Sequence, residues 1–513
     1  MEKIKSHIHM EQIKCAQSMQ FVIEEDKNIN DQSPDIAKLL LEEGEVVVDE
    51  IYPGTNFVQI RGRLRYQILY LTKEKDRKLH KITGEVGWEE KIHMEGTEPT
   101  DVVTVKKQVE DMKVSCSNLR KINIKMLVSL EVAVKELCDE EIISGLEREG
   151  MELRKKKMVL SNLAVKKKDS ILMKEETELP KTLPSIEQVL WKSLEINKWE
   201  IKPLEDNIVV GWEATMFVLY RCMGEEEEIK SFEATLKHNT NLECPGSHPS
   251  MLESSRPAIQ SYGINVKQDQ DGEDRILEAE VLFDLDVLLY EDKEVEMITD
   301  VYGIREDISP IYRKGTVKIQ GEKQQIKLRL NKVIRTPASY PGILQICHVK
   351  AGEIYPEQIR KEEGEGIQGS IPLRILYLSE KEEEAYCSIR EEIGFYHQLE
   401  REKEKVEYTV YGVVQQCNTV LLDSEEIELR LTLLLELQRT RTEERDYLED
   451  IEVKELLPQM RKELPSMAVY RAMEDEELWE IGKRYFVPIE NIKRINQMEN
   501  DLIKGGQKIL LVR

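Results

Sequence analysis

Apolar and polar residues alternate over long stretches of this chain, and the alternation recurs in three places. Ile122-Asn123-Ile124-Lys125-Met126, Leu277-Glu278-Ala279-Glu280-Val281 and Ile427-Glu428-Leu429-Arg430-Leu431 each put every second side chain on an apolar face. Successive side chains of a strand point to opposite faces, so each stretch predicts a strand with one buried and one wet face. Upstream of each stands a Pro-X-Ile triplet, at Pro34, Pro184 and Pro341, and 36 residues beyond each proline comes a tyrosine preceded by leucine: Leu69-Tyr70, Leu219-Tyr220 and Leu376-Tyr377. Sixteen residues further lie Val86, Leu236 and Ile393, with a run of charges in each interval, at 73–78, 225–228 and 380–384. Two apolar stretches flanking a short charged connection predict a β-hairpin with a solvated turn. The short apolar run after each triplet, as in Leu39-Leu40 and Val189-Leu190, fits either a helical turn or a strand start.

The landmarks divide the chain into three tandem units, 1–150, 151–307 and 308–450. A charged connector with Pro458 and Pro465 follows over 451–466, and a separate module is expected over 467–513. In that module Val469-Tyr470 reads as a strand. Leu478, Ile481 and Tyr485 share one face of a helix, and Ile489, Ile492 and Ile495 share one face of a second. Gly505-Gly506-Gln507 marks a turn before the closing strand 508–512. The expected fold is mainly β: three tandem antiparallel β-rich repeats followed by a small βααβ domain.

Length and composition narrow the function. At 513 residues, with 40% hydrophobic and 34% charged types, the chain holds enough apolar material for several cores, which excludes wholesale disorder. The formal charge of −25 repels phosphate backbones and anionic lipid, so nucleic-acid binding is disfavoured. Charges at Glu2, Lys3, Lys5, Glu11 and Lys14 interrupt any apolar core of a secretory signal, and no apolar run is long enough for a membrane span. Eight scattered cysteines with no CxxC pair fit a reduced, cytosolic compartment. Cys244 with His248, and His7 with His9, lack the further ligands that zinc requires, so no metal and no cofactor is expected. No GxSxG, HExxH or GxxxxGK[ST] motif is present, and the reading is non-enzymatic.

The βααβ order, with Leu478-Trp479, Ile495-Asn496, Asp501-Leu502-Ile503 and Gly506-Gln507-Lys508-Ile509, resembles the LysM domain, best known for binding N-acetylglucosamine glycans. Where that family usually carries Gly-Asp-Thr ahead of Leu-Trp, this chain has Asp475-Glu476-Glu477. Glycine lets a sugar approach the backbone, whereas three carboxylates obstruct it and suit a helix start instead. Three repeats with Pro-X-Ile and Leu-Tyr landmarks followed by such a module resemble the SipL-type spore morphogenetic proteins, whose repeats are SPOCS domains. That resemblance implies a mother-cell cytosolic protein at the forespore surface and spore coat. Its implied partners are the polymerising coat-base ATPase, sporulation stage IV protein A, and other coat proteins. The candidate partner surface comprises Asp475, Glu476, Trp479, Glu480 and Ile481, with Ile495 and Asn496 beside it. Ile503, Lys504, Gly505, Gly506 and Gln507 complete it, while Trp479 and Asn496 also have a plain packing reading. The alternative is a cell-wall protein that holds peptidoglycan through the same loops.

Overall fold

Each tandem unit folds as two antiparallel sheets of three or four strands packed face to face. The computed structural model describes all residues except 1, 31, 74–77, 225–227, 362–363, 382–384, 401–405 and 456–464. The first unit contains β1 (Glu2–Asn28), β2 (Ile36–Gly54), β3 (Phe57–Thr72), β4 (Leu79–His93), β5 (Val102–Asn118) and β6 (Lys121–Glu147). Its sheets have the orders β1-β6-β5 and β2-β3-β4. The second unit repeats this with β7 (Met151–Glu178), β8 (Ile186–Leu204), β9 (Asn207–Cys222), β10 (Ile229–Glu243), the short β11 (Leu252–Glu253), β12 (Arg256–Gln268) and β13 (Asp274–Gly303). The third has β14 (Glu306–Arg335), β15 (Ile343–Ala351), β16 (Glu357–Lys361), β17 (Gly364–Ser379), β18 (Tyr386–Gln398), β19 (Val406–Leu421) and β20 (Glu426–Glu455). Here β15 and β16 both pair with β17, together replacing the single strand of the other units. The break falls at 352–356, which includes Pro356, a residue with no N–H to offer a ladder.

The alternating stretches are the strands β6, β13 and β20. In β6, Ile122, Ile124, Met126, Val128, Leu130, Val132 and Val134 are all buried, and they face Val58, Ile60, Leu64 and Ile68 of β3 in one core. Fully burying one such side chain contributes about 1.5–3 kcal/mol, so each inner face supplies most of its unit's stability. The segments after Pro-X-Ile, open between helix and strand in the sequence, are the strands β2, β8 and β15. The 36-residue spacing has a direct cause. The hydroxyls of Tyr70, Tyr220 and Tyr377 donate to the carbonyls of Pro34, Pro184 and Pro341, each at 3.1 Å. Each buried phenol thereby satisfies its one polar atom and fixes the entry to the sheet. Most of the charged runs between the hairpin strands lie outside the described residues, as does most of the connector; β20 runs on to Glu455, paired with Glu306.

The three units close into a ring. Residues 6, 35 and 45 positions after each landmark proline meet in one shared cluster: Leu40, Leu190 and Cys347; Leu69, Leu219 and Leu376; Leu79, Ile229 and Tyr386. This explains why apolar residues occupy both faces at Leu69-Tyr70-Leu71: Tyr70 fills its own sandwich, while its neighbours fill the ring centre. The three seams use different chemistry at one equivalent position. Gln67 donates to the Lys192 carbonyl at 2.6 Å, Phe217 stacks on His348 at 3.6 Å between centroids, and Arg374 pairs with Glu42 at 2.9 Å. Burial, with Lys350 nearby, depresses His348 to about 3, so the stacked ring is neutral.

Glu43 is where the units converge. Its carboxylate receives Gln67 of its own unit, Tyr262 of the second and Lys350 of the third. Glu195, half-buried beside it, is pushed up to about 7 by desolvation, against the pull of Lys350 and with Glu43 and Glu233 adding repulsion. Burial likewise raises Glu45 and lowers Lys107 and Lys192 around this polar hub.

Beyond the sandwiches the outer strands continue as two-stranded ribbons. β5 stops pairing at Lys135 of β6, but β6 stays paired with β1 to Glu147. At 27 residues β1 has a contour of roughly 90 Å, several times the usual strand length. The three ribbons pack together through equivalent residues: Ile142, Met297 and Tyr447, then Ile143, Ile298 and Leu448. Each ribbon carries a one-residue register irregularity just past these contacts, at Ser144, Thr299 and Glu449. Such bulges raise local twist and so bend the ribbons around one another. Tight turns at 148–150 and 304–305 join one unit to the next at the far end of this stalk, where the Ile304 N–H donates to the Gly150 carbonyl at 2.8 Å.

Candidate functional site

The C-terminal module consists of β21 (Met467–Arg471), α1 (Leu478–Tyr485), α2 (Ile489–Asn496) and β22 (Lys508–Val512), with β21 and β22 antiparallel. Leu478, Ile481, Val487, Ile492, Ile509 and Leu511 form its core. Both helices stop at a left-handed residue, Phe486 and Gln497, whose N–H groups return to the Gly482 and Lys493 carbonyls. These bonds satisfy carbonyls that a helix end leaves open.

Two loops lie side by side at one end of the module. The Ala472 N–H donates to the Gln507 carbonyl at 2.9 Å, and the Gly506 N–H to the Ala472 carbonyl at 2.7 Å. Gly506 has φ of 82°, a conformation that a side chain opposes, and a Cβ on Gly505 would press on Glu474. Met473, Asp475, Leu502, Lys504, Gly505 and Gly506 are exposed on this end. Glu476 turns inward, receiving the Tyr470 hydroxyl at 2.9 Å and the Met473 N–H at 3.1 Å and pairing with Arg484 at 3.1 Å. Burial acts to raise its carboxyl, but these three partners together hold it below the usual range.

The other predicted surface residues separate. Glu480 is exposed; Ile495, Ile503 and Gln507 are half-buried. Asn496 ties the module together: its amide donates to the Ile492 and Leu510 carbonyls and accepts from the Leu510 N–H, all within 2.8 Å. Gln507 accepts the Lys504 N–H at 3.0 Å and so closes its own turn. Ile481 is a correction. It is 0% exposed and forms core, because it falls on the same face of α1 as Leu478.

Trp479 faces the stalk. Its indole N–H donates to Asp300 at 2.7 Å, and its ring meets Tyr302 edge to face at 4.9 Å. Lys483, one turn on, reaches both Asp300 oxygens at 2.8 Å, and the buried Tyr302 hydroxyl donates to the Val487 carbonyl at 2.8 Å. Burial pushes the Tyr302 phenol far above its ordinary value, so it remains a donor. Arg154 pairs with Glu477 at 2.6 Å, and Gly482 leaves the room that Tyr302 needs, since a Cβ there would lie 2.7 Å from its hydroxyl. The module is thus seated on the ribbon of the second unit with both loops open to solvent.

Sequence reasoning missed this seat, although one signal for it was present. Tyr302 corresponds in register to Glu147 and Glu452, so an aromatic residue stands where the other two ribbons carry a charge.

The fold defines a class, a tandem array of three β-sandwich repeats with a small α/β appendage. Residues 35–117 and 185–267 match the family described as SipL, SPOCS domain. The matched spans run from β2 into β5 and from the start of β8 into β12, the same portion of two successive units, which supports a SipL-type chain. No curated protein and no solved structure matches it. Among the described residues, no helix is long and apolar enough to cross a membrane.

Proposed function

We propose that this chain is a non-enzymatic adaptor of spore-coat assembly. In this reading the ring and stalk are a rigid scaffold that presents the LysM-like module, whose open loops bind the polymerising coat-base ATPase, sporulation stage IV protein A, at the forespore surface in the mother-cell cytosol. The match of two units to the SipL SPOCS family carries the proposal. The acidic Asp475-Glu476-Glu477 loop, with Glu476 committed to Tyr470 and Arg484, supports a protein partner over a sugar. A scaffold with several contacts holds a partner by raising its effective concentration.

Co-purification of the ATPase with the full chain, and with a chain ending at residue 466, tests this reading. Retention by the full chain and its loss on truncation are expected, as is loss of the ring of fluorescence around the forespore in sporulating cells. The second reading is a peptidoglycan binder, favoured by the exposed Gly505-Gly506 turn. Sedimentation of the full chain with insoluble peptidoglycan, without ATPase retention, would establish it instead.

A further inference from the structure

A cleft of about 750 Å³ lies where the seated module meets the ribbons of the second and third units. Three separate parts of the chain wall it: Arg154, Lys155 and Lys156 come from β7 with Asp300 opposite on β13, Tyr312 comes from β14, and Lys483 from α1. Among the described residues, Asp300 is the one carboxylate in the lining, and both of its oxygens are already engaged by Trp479 and Lys483. Arg154 and Lys155 pair at the margin with Glu477 and Glu296, at 2.6 and 3.3 Å. Lys156 is exposed and has no ion pair among the described residues. With the marginal acids counted, four cations face three carboxylates, on a chain whose formal charge is −25.

The arrangement of these cations selects the ligand. Arg154, Lys155 and Lys156 are exposed and Lys483 is half-buried, and they are strung along a strand and a helix rather than converging on one buried point, as the donors around a compact oxyanion do. Charges spaced this way complement charges repeated along a peptide, and the volume admits several side chains. We propose that this cleft binds an acidic peptide segment, whose Asp or Glu carboxylates engage Arg154 and Lys156, which share one face of β7, and that it is complete only while the module is seated. Lys483 supplies one wall, so peptide and seat strengthen each other by linkage. This holds whatever the open loops of the module bind.

Fluorescence anisotropy with the full-length chain and a labelled hexaglutamate peptide tests it. Saturable binding is expected, weakened at least roughly tenfold in the double variant Arg154→Glu, Lys156→Glu and progressively screened by salt. Lys237→Glu, on β10 of the sandwich, leaves it unchanged, and Asp300→Ala weakens it by loosening the seat. Should the double variant lose its circular dichroism spectrum, Lys156→Glu alone at the unpaired exposed lysine carries the test. Absence of saturable binding, binding that survives the charge reversal, equal binding of a hexaglutamine peptide, or full competition by inorganic phosphate at the peptide's own concentration overturns the proposal.

Discussion

The interior of the sandwiches and the outer end of the stalk treat the three repeats differently. Inside, equivalent positions do the same thing: three tyrosines bond three proline carbonyls at the same 3.1 Å, and three leucines fill the ring centre. At the stalk end, one backbone position holds Tyr302 in the second ribbon and Glu147 or Glu452 in the others, and Arg154 answers to Ile4 and Ile311. Asp300 answers to Gly145 and to Asp450, which pairs with Lys3 instead. Agreement therefore builds the fold three times, and divergence decides that only one of three similar ribbons seats the module.

The interior half of that comparison breaks first under mutation. Tyr220→Ala removes a large buried side chain and its hydrogen bond, and is expected to cost about 3–5 kcal/mol, with a matching loss for Tyr70→Ala and Tyr377→Ala. Chemical unfolding of the three variants checks this; unequal losses would show that the copies are not equivalent inside.

The hub stands between the two extremes. Glu195 holds its proton up to about pH 7 when folded, whereas the unfolded chain releases it near the ordinary glutamate value of 4.5. The folded state binds more protons in that window, so stability falls as pH rises through it and levels off above about 7, by about 3 kcal/mol in all. Glu195→Gln should remove this slope, which urea denaturation at several pH values would read.

At the stalk end, Tyr302→Glu gives the second ribbon the residue of its neighbours. It is expected to release the module at a cost of about 2–3 kcal/mol of seating, leaving the sandwiches folded. Faster hydrogen exchange in α1, with unchanged exchange in β6 and β13, is the expected signature. The smallest effect belongs to Tyr220→Phe, which keeps the ring and loses only the bond to Pro184, for about 1 kcal/mol by the same unfolding measurement.

Strand and helix were legible wherever a local period carried them. The alternation at Ile122, Leu277 and Ile427 and the helical spacing at Leu478-Ile481-Tyr485 each reflect one face meeting a core, and one face is a property of a few neighbouring residues. The resemblance, not this local reading, put Ile481 on a surface, whereas the face that Ile481 shares with Leu478 already marked it as core. Even the constant spacing from proline to tyrosine was visible, although the hydrogen bond behind it was not.

What the chain alone determined is its threefold repetition, its β character and the βααβ tail, all of which rest on contacts between near neighbours or on patterns copied intact. Ring closure, the packed ribbons, the raised carboxyl of Glu195 and the seat of Trp479 on Asp300 and Tyr302 were decided only in three dimensions. Trp479 lies 179 residues from Asp300, and no periodicity links two such positions. Their meeting depends on where two turns at the stalk end deliver the ribbons, and on which of three similar surfaces has an aromatic ring, an acid and a base in reach.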